Sequence, residues 1–136
     1  MLVGCKRKAR ICLSTSVVYT HTRHTFGKPL VSNQIISHKV ATVARYVESH
    51  WARLEQLAYH IQKSPLGWHD PEIAGQIALS KVHGGRALEM ASREAQQVLS
   101  GAGYQRGGLG ASIEQMNRDL RMMVSQVAEC MLEILH

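Results

Sequence analysis

"IISHKVATVARYVESHWARLEQLAYHI", residues 35–61, decides the fold. Its apolar residues Ile36, Val40, Val43, Val47, Trp51, Leu54, Ala58 and Ile61 recur in steps of three and four over about seven turns. A strand would need alternation with period two, whereas this spacing lines one side of an α-helix. Both flanks interrupt the pattern. "FGKP" (26–29) precedes it, and "KSPLGWHDP" (63–71) ends it with a Pro-Leu-Gly turn. Asp70 then stands where an N-cap belongs, with Pro71 at the first position of another helix.

Outward from this stretch, residues 6–21 form a weaker helical pattern with Ile11, Leu13, Val17 and Val18 as its apolar positions. Downstream, Pro71 to Leu99 reads as a third helix with Ile73, Ile77, Leu88, Ala91, Ala95 and Val98 inward. Gly84 and Gly85 sit in its middle, where each costs about 1 kcal/mol relative to Ala. Close approach of a neighbouring helix or a ligand would explain them. "SGAGYQRGGLGAS" (100–112), with five glycines, is expected to be irregular. Ser112 is placed as the cap of a fourth helix, with Ile113, Met116, Leu120, Met123 and Val127 on one face. Four helices with short connections imply an all-α fold, a four-helix up-and-down bundle occupying residues 1–136 as a single domain.

Composition agrees. The 136 residues are 45% hydrophobic but only 5% aromatic, with a single Phe, which suits helices better than a β-sandwich. No apolar run approaches the roughly 18 residues of a membrane span. Cys5, Cys12 and Cys130 are odd in number and form no CxxC pair, so they read as reduced thiols of an intracellular protein. The first 47 residues contain eight Lys and Arg and no acid, a charge of +8, while the remainder carries −2. Such a basic end calls for an anionic partner: a phosphate-bearing cofactor, a lipid surface or nucleic acid. Residues 1–22, basic and free of acids, also fit a mitochondrial presequence, although the same stretch reads as a structural helix.

The eight histidines are scattered. His21 and His24 are the only close pair and lack a predictable third ligand, so no metal site is expected. No local signature supports a Ser/His/Asp or Cys/His centre. The glycine loop lacks GxxxxGK[ST] and follows a helix, which removes a P-loop and a Rossmann turn.

Three segments together resemble one family. "RHTFGKPLVSNQ" resembles the Arg-x-x-Phe-Gly-Lys-Pro motif of acyl-CoA dehydrogenases, with Gln34 at the expected distance. "EMASREAQQVLSGAGYQRGG" resembles their Gln-x-x-Gly-Gly-x-Gly-Tyr signature, and "IEQMNRDLR" their Glu-x-x-x-Arg-Asp-x-Arg segment. The likeness covers residues 6–124 and corresponds to the C-terminal helical domain of that family, without its N-terminal helical domain and β-domain. Residues 125–136 diverge.

The resemblance implies an FAD-dependent oxidoreductase acting on CH–CH groups, with this domain supplying part of an FAD site shared between subunits. Arg23 matches the arginine that reaches the FAD diphosphate. Phe26 matches an aromatic lying against the cofactor, and Gln34 a polar contact to it. Gln97 and Gly101 match the second FAD-contacting segment. Ser100 replaces the first glycine of the usual pair. Other readings of these residues stay open: Phe26 as a plug at a helix junction, Gln34 as an exposed first residue of a helix. Arg118, Asp119 and Arg121 read as a structural ion-pair group, and Met116, Met122 and Met123 as packing.

The family's chemistry removes an α-proton from an acyl-CoA thioester while a hydride passes from the β-carbon to the flavin, so it needs a positioned carboxylate base. Nothing before Glu48 is acidic, and the upstream location used by one branch falls just before Met1. The downstream Gly-rich location is replaced by "SQVAECMLEILH", whose Glu129 and Glu133 sit on a continuing helical pattern. The expectation is therefore no identifiable catalytic residue, a truncated or altered chain, and no catalysis by this chain alone. An acyl-CoA substrate would bind only in a full-length context. A homo-oligomer is expected. The competing reading is a non-catalytic helical oligomerisation or binding module. Nucleic-acid binding through the basic end lacks interleaved aromatics and any known motif, so it is not expected.

Overall fold

A computed structural model describes residues 2–132, with side chains through Met122. Helix α1 spans Leu2–Thr22, α2 Gln34–Lys63, α3 Pro71–Leu99 and α4 Ala111–Leu132. They form the four-helix bundle that the apolar periodicity implies. The assignments of Met123, Val127, Glu129 and Cys130 to particular roles fall on side chains outside those described, and Glu133 lies outside the described residues altogether.

Helix α3 is the centre, packing against each of the other three. It therefore buries residues on more than one side, among them Ile73, Ala78, Ala87, Leu88, Ala91, Ala95, Val98 and Leu99. Val43 and Val47 of α2 and Ile113 and Leu120 of α4 complete the core from two sides. The cap at the start of α3 is as the sequence implies: the Glu72 N–H donates to Asp70 Oδ1 at 3.0 Å. The Ser64 hydroxyl donates to Asp70 Oδ2 at 2.9 Å and ties the cap to the end of α2.

The inward face of α1 differs from expectation. Cys5, Ala9, Cys12, Ser16 and Thr20 are buried, while Val18 is exposed and Ile11, Leu13 and Val17 are only partly covered. Small residues win this face because α3 presents small residues opposite. A Cβ added to Gly84 would stand 2.8 Å from the His50 ring and 3.6 Å from the Cys5 Cβ. The mid-helix glycine thus serves close packing of α1, α2 and α3. Burying Ser16 and Thr20 is tolerable because their hydroxyls bond within the helix, to the carbonyls of Cys12 (2.8 Å) and Val17 (2.9 Å). Helix α1 is thus an integral core element.

On α2 the buried residues are Val43, Val47, His50 and Leu57, so the inward stripe includes a histidine and Ala58 faces out. Trp51 is half-covered, with the Lys6 ammonium 3.5 Å from its ring centroid. The glycine-rich segment is more regular than expected. It forms 3-10 turns at Ser100–Tyr104 and Gly108–Gly110, and Ser112 lies inside α4 instead of capping it. Of the methionines, Met116 packs on the core, with its Sδ 3.6 Å from Cys12 Sγ, whereas Met122 is exposed. Arg118 pairs with Glu114 one turn earlier at 3.0 Å, not with Asp119.

Candidate functional site

The ends of α1 and α3 meet, and the connections that follow them build a cleft. After α1 the chain makes a hairpin: β1, His24–Thr25, runs antiparallel to β2, Lys28–Pro29, with His24 opposite Pro29. The turn residues Phe26 (φ 52) and Gly27 (φ 76) both have positive φ, as a two-residue hairpin of type I′ requires. Glycine adopts this freely, but phenylalanine does so at a cost of about 1–3 kcal/mol. The Leu30 N–H donates to the Arg23 carbonyl at 2.7 Å and closes the loop.

A second strained residue lies across from it. Helix α3 ends at Leu99, and Ser100 takes φ 53, ψ −131 while its N–H still donates to the Gln96 carbonyl. That backbone lets the chain turn sharply into the Gly101 segment.

Between these ends is a cleft of about 510 Å³. Tyr19, Arg23, Thr25, Leu30 and Ile36 wall one side, and residues 97–102 with Gln105 wall the other. The structure thus brings Arg23, Gln97 and Gly101 together from distant parts of the chain. It does not bring Phe26 or Gln34 into the lining. Phe26 projects fully exposed from the hairpin tip, so it plugs no helix junction, and Gln34 is the exposed first residue of α2.

The cleft is a donor-rich environment. Among the described residues no carboxylate lines it, and Arg23 contributes a permanent charge. Thr25 Oγ1 is buried with no hydrogen-bond partner in the wall. Gly101 has no structural need to be glycine. A Cβ there would meet nothing within 4 Å, and its φ lies outside the left-handed region. Gly110 is the opposite case, since its Cβ would fall 1.8 Å from the Ala102 carbonyl oxygen.

Sequence reasoning missed the support behind Gln97. Lys39 Nζ of α2 donates to Gln97 Oε1 at 2.9 Å and to Glu94 Oε2 at 2.5 Å. These partners lie 55 and 58 positions apart in sequence, so no local pattern announces them. Gln97, Ser100 and Gly101 form a ridge between this cleft and a second one of about 550 Å³, which Arg93 and Tyr104 also line.

Chemistry elsewhere is quiet. Burial raises the Cys5 thiol and pushes Cys12 up to about 12, so both are inert near neutrality. His21 and His24 each contact a backbone carbonyl through Nδ1. Among the described residues no group of three or more His, Cys, Asp or Glu could hold a metal ion, and no helix is long and apolar enough to cross a membrane.

Residues 1–125 match the family model described as acyl-CoA dehydrogenase, C-terminal domain. The acyl-CoA dehydrogenase AFT10-1 of Alternaria alternata is 38% identical over 123 residues, covering 89% of this chain and 28% of that protein. The acyl-CoA dehydrogenase apdG of Emericella nidulans is 33% identical over 118 residues, covering 87% of this chain and 27% of its own length. The chain therefore spans little more than a quarter of the length of these relatives. A crystal structure from Mycobacterium smegmatis assigned to the acyl-CoA dehydrogenases superposes with a TM-score of 0.75 over 99% of this chain and 36% of its own. At 20% identity that likeness speaks to fold.

Proposed function

The chain belongs to the acyl-CoA dehydrogenase family through its C-terminal domain, and from that premise we propose that it is a cofactor-holding helical domain of an FAD-dependent oxidoreductase acting on CH–CH bonds of acyl thioesters. The observation that carries the proposal is the cleft that unites Arg23, Gln97 and Gly101, with no carboxylate among its described lining residues.

The residues suit a diphosphate. The Arg23 guanidinium offers a planar pair of N–H donors to phosphate oxygens. Bare backbone at Gly101 admits close approach that its own fold does not require. Phe26, strained and fully exposed, is held where only something beyond this chain can meet it. In the proposed arrangement that is the isoalloxazine or adenine portion of a cofactor shared with a neighbouring subunit. Bound flavin would supply the hydride acceptance. The chain's own residues bind and orient.

Among the described residues no carboxylate lines the cleft, so we assign no catalytic base and expect no oxidation of any acyl-CoA by this chain alone. Measurable dye reduction with acyl-CoA would overturn that assignment. Flavin-fluorescence titration tests the site. FAD should bind with a submillimolar Kd, and Arg23→Ala should weaken it about tenfold, the loss of one charge-assisted phosphate contact at an exposed position. Equal affinity for the two proteins would count against the proposal.

Exposed Leu66 and Trp68 at the α2–α3 connection favour an assembly surface as a second reading. Light scattering discriminates here, because a strictly monomeric chain at high concentration removes it.

A further inference from the structure

We infer that Lys39 is a positioning residue that fixes Gln97 as a hydrogen-bond donor, so that the group recognised at Gln97 is an acceptor such as a phosphate oxygen. The inference rests on the cofactor-site reading above and refines it.

Gln97 lies on the last turns of α3 and is exposed at the ridge between the two clefts. A free glutamine there could present either its carbonyl oxygen or its amide N–H groups. Lys39 removes the ambiguity. Its ammonium donates to Gln97 Oε1 at 2.9 Å, which turns the carbonyl oxygen toward α2 and leaves the two N–H donors for a ligand. Lys39 is itself held by Glu94, three residues before Gln97 on the same helix. The ion pair is largely covered, with side chains 24% and 29% exposed, and the apolar residues Leu13, Val40, Val43 and Val98 lie beside it. The carboxylate also neutralises the ammonium, so Lys39 adds little charge to the cleft. Its effect passes through the orientation of Gln97.

A purely electrostatic role for Lys39 would favour any nearby anion. A positioning role has a different signature, because it disappears when Gln97 is absent. FAD titrations with Lys39→Met, Lys39→Arg, Gln97→Ala and the Lys39→Met/Gln97→Ala double variant separate the two, with Arg23→Ala as the control for the site. Thermal melts report whether each variant folds. Lys39→Met should weaken FAD binding about three- to tenfold, the range set by freeing one side chain that binding must then order. Lys39→Arg should restore most of the affinity, and Lys39→Met should add nothing to Gln97→Ala.

Should Lys39→Met not fold, Gln97→Glu provides the independent arm. The exposed carboxylate keeps the contact to Lys39 but offers no N–H, so affinity should fall at least as far as in Gln97→Ala. Unchanged affinity in Lys39→Met or Gln97→Glu, beside a weakened Arg23→Ala, overturns the inference and leaves the site standing. An equal loss from Lys39→Met with and without Gln97 also overturns it. If Arg23→Ala has no effect either, or the unsubstituted chain binds no FAD, the site reading fails and the role of Lys39 fails with it.

Discussion

Ser100→Gly should stabilise the protein, although it deletes a side chain and adds a glycine. Ser100 sits at φ 53, ψ −131, a conformation that a residue with a Cβ adopts at a cost of about 1–3 kcal/mol. Glycine occupies it freely but gives up roughly 0.5–1 kcal/mol through the greater freedom of the unfolded chain. The difference spans about 0–2.5 kcal/mol and centres on a gain of about 1 kcal/mol. Little else changes: Ser100 is exposed, and the bond from its N–H to the Gln96 carbonyl survives the substitution. For a chain of this size that central value corresponds to roughly 4 °C in Tm.

Urea denaturation followed by far-UV circular dichroism measures it as a rise in midpoint at constant m-value. Ser100→Ala is the control, since it keeps the Cβ and should show no comparable gain. If Ser100→Gly is no more stable than the parent, or Ser100→Ala gains equally, the strain argument is wrong. The departure from the paired glycines of the family would then have no conformational cost.

Gly101→Ala should leave stability unchanged or slightly raised, because its Cβ meets nothing, yet weaken FAD binding in the fluorescence titration. Gly110→Ala should cost about 1–3 kcal/mol or more in the same denaturation assay, since its Cβ would overlap the Ala102 carbonyl. Stability should also fall in mild acid. His50 is buried, and both ring nitrogens lack a hydrogen-bond partner. Burial is the main cause holding it below its ordinary 6.5. Proximity of the Leu2 backbone opposes the shift, and His83, Arg53 and Lys6 reinforce it. As pH drops below about 6.5 the unfolded chain takes up a proton that the folded chain resists. The loss continues down to the folded pKa, with a slope of at most about 1.4 kcal/mol per pH unit for one proton. Denaturation midpoints between neutral and mildly acidic pH, compared with His50→Gln, check this. A slope that persists in the variant would place the effect elsewhere.

Much of the fold is legible because α2 and α3 carry long, strict periodicities bounded by Gly and Pro. The Asp70–Pro71 start of α3 can be read from two residues. Helix α1 is not legible in the same way. Its buried face is Cys5, Ala9, Cys12, Ser16 and Thr20, and a search for apolar stripes passes over small and polar residues. What selects that face is its packing against α3, where Gly84 leaves room for Cys5, and that is a tertiary fact. Burial of His50 is illegible for the same reason. The two-residue strands around Phe26-Gly27 and the 3-10 turns after Ser100 are too short for any periodicity to announce.

The candidate site divides similarly. Arg23, Gln97 and Gly101 can be named from motif spacing, and the structure adds that they share one cleft. Lys39 and Glu94 carry no local signal, since their roles depend on contacts between segments far apart in the chain.

The most direct test is amide chemical-shift mapping of the isotopically labelled chain during addition of FAD. Shifts should concentrate at Arg23, Thr25, Gln97, Gly101 and Gln105, and in Arg23→Ala should need about tenfold more FAD to reach the same size. Shifts centred instead on the α2–α3 connection around Leu66 and Trp68, or none at saturating FAD, would contradict the assignment of this cleft to the cofactor.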